Sequence, residues 1–268
     1  MTGPFAGLER PMSVAIDGPA GSGKSTVARL LAERIGGTRL DTGAMYRSVA
    51  WAALDRHIDL HADVAVGRLA RALHIVVEGD RSWVDGHEVT EAIRTPEVDA
   101  AVSLVAANAE VRIEMVARQR QWVAAHRCAV VEGRDIGSVV LPQAELKLYL
   151  TATVAARAHR RSRQRQLHDP TEVAAVAAQL TRRDTLDSTR VHSPLAAPDD
   201  VAADALVIDT TDVTPDAIVD RALAWWQQHR STAISHRSEI PGYASTAEGV
   251  GDQVELDTTT EINDRGQA

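Results

Sequence analysis

Nine residues near the start of the chain, Gly18, Pro19, Ala20, Gly21, Ser22, Gly23, Lys24, Ser25 and Thr26, have the types and spacing of a phosphate cradle. They fit G-x-x-x-x-G-K-[ST]. The glycines let the backbone wrap so that successive N–H groups point inward at phosphate oxygens, and a helix that follows adds the positive end of its dipole. In that arrangement Lys24 reaches the β- and γ-phosphates and the Ser25 hydroxyl holds Mg²⁺. Lysine is scarce in this chain: of 29 basic residues only Lys24 and Lys147 are Lys, the rest being Arg. A flexible glycine turn would not require one here.

A second anion-accepting region is spread along the sequence. Thr42, Tyr46 and Arg47 fall in the run Leu40-Asp-Thr-Gly-Ala-Met-Tyr-Arg47. Glu132-Gly133-Arg134-Asp135 follows the apolar stretch Cys128–Val131, at the kind of strand end where open α/β sheets bind ligands. Arg157, Arg160, Arg161, Arg163 and Arg165 crowd into one segment, and Arg183, Asp187 and Arg190 come later. Guanidiniums so close repel one another, and a polyanion would offset that repulsion. Carboxylates from elsewhere in the chain could do the same, leaving only a solvated charged face. There is no Asn-Lys-x-Asp run, which excludes a GTPase of the usual type. Leu206-Val-Ile-Asp209 is followed by two threonines and reads as a strand end rather than the Asp-Glu of a motor ATPase. Small phosphotransferases remain.

The elements that must position these groups alternate. A β-branched segment at Val14–Ile16 leads into the glycine loop, and Val27, Leu30, Leu31 and Ile35 recur at helical spacing until Gly36-Gly37. A short strand at Thr38–Leu40 and a helix over Ala44–Leu54 follow. Residues 74–94 switch to strand patterning, with Asp85-Gly86 as a hairpin turn. Helices near 97–107 and 109–126 precede the strands Cys128–Val131 and Leu146–Leu150. Asp169-Pro-Thr-Glu172 is a capping signature that opens a helix to about 183. A strand at Ala205–Ile208 and a helix capped by Thr214-Pro215 close the pattern. The expected fold class is α/β, an open parallel sheet flanked by helices, interrupted near 60–110 by a small β-containing insertion.

Composition narrows the class further. The chain has 268 residues, 44% hydrophobic and 25% charged, which is enough for an ordinary core. One cysteine, Cys128, excludes a disulfide framework and a Cys-rich zinc site, and fits a cytoplasmic setting. No apolar run approaches the ~20 residues of a membrane span, and the first residues lack a signal-peptide pattern. The net charge is −8, with seven acids against two Arg in residues 231–268. That segment has no apolar periodicity and is expected to be a disordered acidic tail. An acidic chain is a poor candidate for gripping nucleic acid non-specifically.

GPAGSGKST at 18–26, LDTGAMYR at 40–47, EAIRTPEV at 91–98, EGRDIG at 132–137 and RRDTLDSTR at 182–190 together resemble bacterial cytidylate kinase, a P-loop nucleoside monophosphate kinase. The resemblance covers residues 12–230, in order and with matching gaps; Thr42 stands where other members often carry Ser. It implies transfer of the γ-phosphoryl group of MgATP to CMP or dCMP in pyrimidine metabolism, by a monomeric, cytoplasmic enzyme. It also implies an NMP-binding insertion at about 60–110 and an Arg-rich lid at about 157–190. By similarity, residues 18–26 bind ATP, and Lys24, Arg134, Arg157 and Arg161 act on the transferring group. Arg47, Arg134 and Arg190 would hold the CMP phosphate, with Thr42 and Tyr46 beside them. Ser103, Arg112 and Asp135 would face cytosine, and Arg183 with Asp187 the ribose. Phosphoryl transfer demands positioning and charge neutralisation, where one well-placed Arg is worth ~10³–10⁵ in rate. A kinase for AMP, UMP or shikimate is the alternative enzyme, and a non-catalytic ATP sensor the alternative of another class.

Overall fold

Strand β1 (Met12–Asp17) alternates Val14 and Ile16 toward one face and Ala15 toward the other, all fully buried, so both faces must be covered. The computed structural model describes residues 12–190 and 194–237. After β1 come α1 (Lys24–Ile35), β2 (Thr38–Asp41) and α2 (Thr42–Asp55), then α3 (Asp63–Ala72) and three short strands, β3 (Ile75–Glu78), β4 (Arg81–Val84) and β5 (His87–Glu88). Helices α4 (Pro96–Ala107) and α5 (Ala109–Ala124) lead to β6 (Cys128–Glu132) and β7 (Leu146–Thr151). Helices α6 (Val154–Gln164) and α7 (Pro170–Thr189), strand β8 (Ala205–Asp209) and α8 (Pro215–Arg237) complete the order.

The main sheet is parallel throughout, in the order β2-β6-β1-β7-β8, and β3-β4-β5 form a separate antiparallel sheet. On one face Val14, Ile16, Leu146, Leu148 and Ile208 pack with Val27 and Leu31 of α1 and with Val219 and Trp226 of α8. The other face packs Ala15, Leu40, Ala129 and Val131 against α2 and the insertion, through Val49, Val66, Val105 and Met115. Residues that point at the C-terminal edge of β1, β2 and β6 therefore meet those at the start of α1 and α2.

Most expected elements are present, and the differences have physical causes. Helix α3 was not expected. Gly67 interrupts its pattern, yet a Cβ there would lie 2.5 Å from the Cβ of Glu110, so the glycine permits α3 to approach α5 closely. Helix α7 has the expected capping box at Asp169 and Glu172 but runs past 183 to Thr189. Its last turns are weak helix formers held by tertiary bonds from Asp184 and Asp187. The turn at Asp85-Gly86 is formed with φ of 50° and 82°. Helix α8 continues through Arg237, so residues 231–237 depart from the expected tail; no Gly or Pro stops the helix before Pro241. The expectation for 238–268 lies outside the described residues.

Candidate active site

The loop after β1 has the backbone that its glycines predict. Gly18, Gly21 and Gly23 hold φ of 141°, 77° and 94°, and a Cβ on Gly18 would sit 2.0 Å from the Leu150 carbonyl oxygen. Helix α1 begins at Lys24 with no acid in its first turn and no side-chain cap, so its N–H groups stay open to an anion. Lys24 Nζ donates to the carbonyls of Gly18 and Pro19, at 2.8 Å each. Burial, reinforced by the Arg134 guanidinium, pulls its pKa down to about 7.

Ser25 donates its hydroxyl to Glu132 Oε2 at 2.7 Å. Burial, with Asp41 adding repulsion, pushes Glu132 up to about 8. Thr42 Oγ1 donates to the Glu132 carbonyl at 2.7 Å, tying the start of α2 to the end of β6. Asp17 accepts from the backbone N–H groups of Ile136 and Gly137, at 2.7 Å each. Burial raises its pKa to about 6 against the opposing pull of those bonds. These contacts hold the turn that carries Arg134 and Asp135.

A cleft of about 1230 Å³ opens from the loop, larger than the ~300–1,000 Å³ of a site for one small molecule. Ala20, Gly21, Ser22, Gly23, Lys24, Ser25 and Thr26 line one end. Thr42, Tyr46, Arg47, Ser103, Arg112, Arg134, Asp135, Arg161, Arg183, Asp187 and Arg190 also line it. Residues from widely separated stretches of sequence are thereby brought together. Arg112 and Asp135 form a buried ion pair. Arg134 donates to the Gly18 carbonyl at 2.7 Å and pairs with Asp187 at 2.9 Å, and Ser103 donates to Asp187 at 3.1 Å. Burial pushes Tyr46 up to about 12 and, together with Arg134 and Arg47, pulls Arg183 down to about 9. Arg190, at the end of α7, is also lowered by burial.

Three expected residues lie elsewhere. Gly18 and Pro19 are buried in the loop, their carbonyls accepting from Lys24 and, at Gly18, from Arg134. Arg157 is 5% exposed and donates to the carbonyls of Ala152 and Ala20, at 3.0 and 3.1 Å, and to Asp184. Its guanidinium braces the loop from behind instead of facing the cleft, because Asp184 on α7 and two backbone carbonyls satisfy its donors.

Sequence reasoning names Glu132 at its strand end without giving it a role, and misses two carboxylates and one arginine. Asp17 closes β1 at the same sheet edge, a positional signal that could have found it. Arg39 is buried, pairing with Glu132 at 3.4 Å and donating to the Gly79 carbonyl. Asp99, on α4, gathers Arg47, Arg161, Arg165 and Arg183 around one carboxylate. Burial alone would raise its pKa, but Arg47, Arg161 and Arg183 hold it down at about 2. Nothing in its local sequence marks it.

The arrangement can hold a nucleotide triphosphate tail at α1 and a second phosphate among the arginines, with a charged pair beyond. Known proteins are similar in sequence to the chain. The profile of the cytidylate kinase family matches residues 14–228. The chain is 46% identical over 213 residues to a cytidylate kinase of Enterococcus faecalis, covering 78% of this chain and 92% of that protein. It is 46% identical over 217 residues to one of Nocardia farcinica, covering 79% and 92%. With one of Mycobacterium avium it shares 45% identity over 234 residues, covering 85% and 96%. A sheet ordered around β1, a phosphate loop at its end and a match that spans nearly the whole described chain lead to one assignment: the chain belongs to the cytidylate kinase family.

Proposed function

We propose that the chain transfers the γ-phosphoryl group of ATP to CMP or dCMP, giving ADP and CDP or dCDP. The observation that carries this reading is the cleft that joins the open N-terminus of α1 to Arg47, Arg190 and the Arg112–Asp135 pair, with Arg134 bridging from the Gly18 carbonyl to Asp187. The loop N–H groups and Lys24 bind the triphosphate of ATP. The acceptor phosphate lies among Arg47, Arg134 and Arg190, which neutralise its charge so that two anions can approach. An acceptor phosphate oxygen then bonds to the γ-phosphorus as the bond to the β–γ bridging oxygen breaks, its electron pair leaving with ADP. The acceptor is already anionic, so no general base is required.

The donor set fits Mg²⁺. Ser25 and Glu132 offer hard oxygens side by side, and among the described residues no cluster of three or more His, Cys, Asp or Glu could cage a metal. That suits an ion held largely by substrate phosphates. When bound, it supplies further neutralisation of the phosphate charge. Arg161 serves as a lid arginine facing the cleft, and Arg157 supports the loop.

No helix among the described residues is long and apolar enough to cross a membrane, and one cysteine suits a cytoplasmic enzyme. The test is a coupled assay with CMP, dCMP, UMP and AMP. CMP and dCMP should lead by about 10² or more, since a site built to pair with one base edge leaves polar groups unpaired with another. Preference for UMP or AMP would reduce the reading to a nucleotide kinase of other specificity. ATP binding without any acceptor-dependent turnover would favour a sensor.

A further inference from the structure

Asp99 lies in the first turn of α4, and its carboxylate meets four guanidiniums from three other helices, one of them at the C-cap of α6. Arg47 of α2 and Arg183 of α7 reach Oδ1, the latter at 3.4 Å. Arg161 of α6 and Arg165, which follows α6, reach Oδ2 at 2.8 and 2.6 Å. The side chain is 17% exposed and lines the cleft. Arg47 keeps only one other described bond, to the Ile93 carbonyl at 3.0 Å.

We propose that Asp99 is an internal anion that occupies Arg47 and the lid arginines until an acceptor phosphate displaces it, so that the enzyme discriminates the acceptor phosphate from water. This deepens the kinase reading above and rests on it. A carboxylate with both oxygens accepting from guanidiniums copies the geometry that those groups use for phosphate. It carries a single charge, so a phosphate dianion outcompetes it. While Asp99 holds Arg161 and Arg165 against α4, those groups are withheld from the γ-phosphate. Binding of the acceptor at Arg47 takes one partner from the carboxylate and loosens the rest. ATP alone therefore meets an incompletely assembled lid. With water as the attacking group, a water oxygen would bond to the γ-phosphorus, its proton would pass to solvent, and the same bridging bond would break toward ADP. Asp99 suppresses that path and leaves transfer to the acceptor open. It is a positioning residue, since it acts through the arginines.

The variants are Asp99→Asn, Asp99→Glu and Arg165→Gln, each checked for folding by circular dichroism. Calorimetric titration with inorganic phosphate should show Asp99→Asn binding about tenfold tighter than wild type, with KM for CMP falling about as far and kcat within about twofold. Acceptor-free ATP hydrolysis should rise about three- to tenfold. Asp99→Glu, which restores the charge, should return all three toward wild type. Arg165→Gln leaves α4 untouched and removes one strand of the latch, but it also deletes one of the withheld guanidiniums, so its hydrolysis should rise less than that of Asp99→Asn. Equal or weaker phosphate binding by Asp99→Asn, or unchanged hydrolysis in both neutral variants, overturns the proposal. So does a fall in melting temperature with the ratio of hydrolysis to transfer unmoved, which would make Asp99 only a neutraliser of buried arginines. Should the wild type prefer UMP or AMP, the cytidylate reading falls, while the phosphate titration still decides the role of Asp99.

Discussion

Ser25 and Glu132, 107 residues apart in sequence, are joined by a 2.7 Å hydrogen bond at the floor of the cleft. The bond links the first turn of α1 to the end of β6 and sets two oxygens beside the phosphate loop. It also leaves a carboxyl group where water cannot solvate its charge, and that has a measurable consequence.

Glu132 has a folded pKa raised from 4.5 to about 8, chiefly by burial. The unfolded chain ionises it near 4.5, so its contribution to stability is fully present below that value and is lost as pH rises through about 8. A glutamine keeps the shape and does not titrate. The melting temperature of Glu132→Gln relative to wild type should therefore climb between pH 5 and pH 8. A difference that is flat with pH would show Glu132 to be ionised in the folded protein throughout.

Lys24→Ala should lower turnover by about 10²–10³-fold, the usual cost of removing a donor aimed at developing charge. The fold should survive. In the absence of nucleotide, the ammonium bonds to carbonyls of its own loop, and burial disfavours its charge. Coupled-assay rates together with circular dichroism check both halves, and near-wild-type turnover would remove the loop from the chemistry.

Asp135 should govern the choice of base. Its carboxylate can accept from the exocyclic amine of cytosine, while Arg112 donates to the ring nitrogen and carbonyl; uracil reverses the first two of these partners. In Asp135→Asn the amide can present either atom, so the ratio of kcat/KM for CMP over UMP should fall about tenfold or more. Asp135→Ala should lose stability as well, by about 3–5 kcal/mol, because it breaks a buried pair. A drop in activity with the ratio unchanged would mean that Asp135 only orients Arg112 and Arg134.

Truncation after Arg237 should leave the melting temperature and kinase rate nearly as they are. The buried side of α8 runs from Ile218 to Trp226, well short of the cut. The removed residues carry seven acids and one Arg, with no apolar stripe able to bury surface. A loss of several degrees would assign that segment a packing role.

What the sequence determined by itself is local. The phosphate loop is legible because its requirement is a set of backbone torsions, and glycine spacing records those directly. The parallel sheet is legible because strands buried on both faces read as apolar runs between helices. Arg47, Arg134, Arg183 and Arg190 could be named from the motifs, and Arg112, Arg157 and Arg161 from the resemblance those motifs carry, but the duties of the last two could not be separated. Arg157 and Arg161 are one helical turn apart in the same basic run, yet one braces the loop and the other faces the cleft. The difference lies in their partners, Asp184 for one and Asp99 for the other. Asp17 and Glu132 are marked only by their place at strand ends and Asp99 by nothing local, since a carboxylate becomes functional only through what the fold sets beside it. A charge is cheap in water and costly when buried, so its role follows from burial and from distant partners, and only the tertiary structure supplies both.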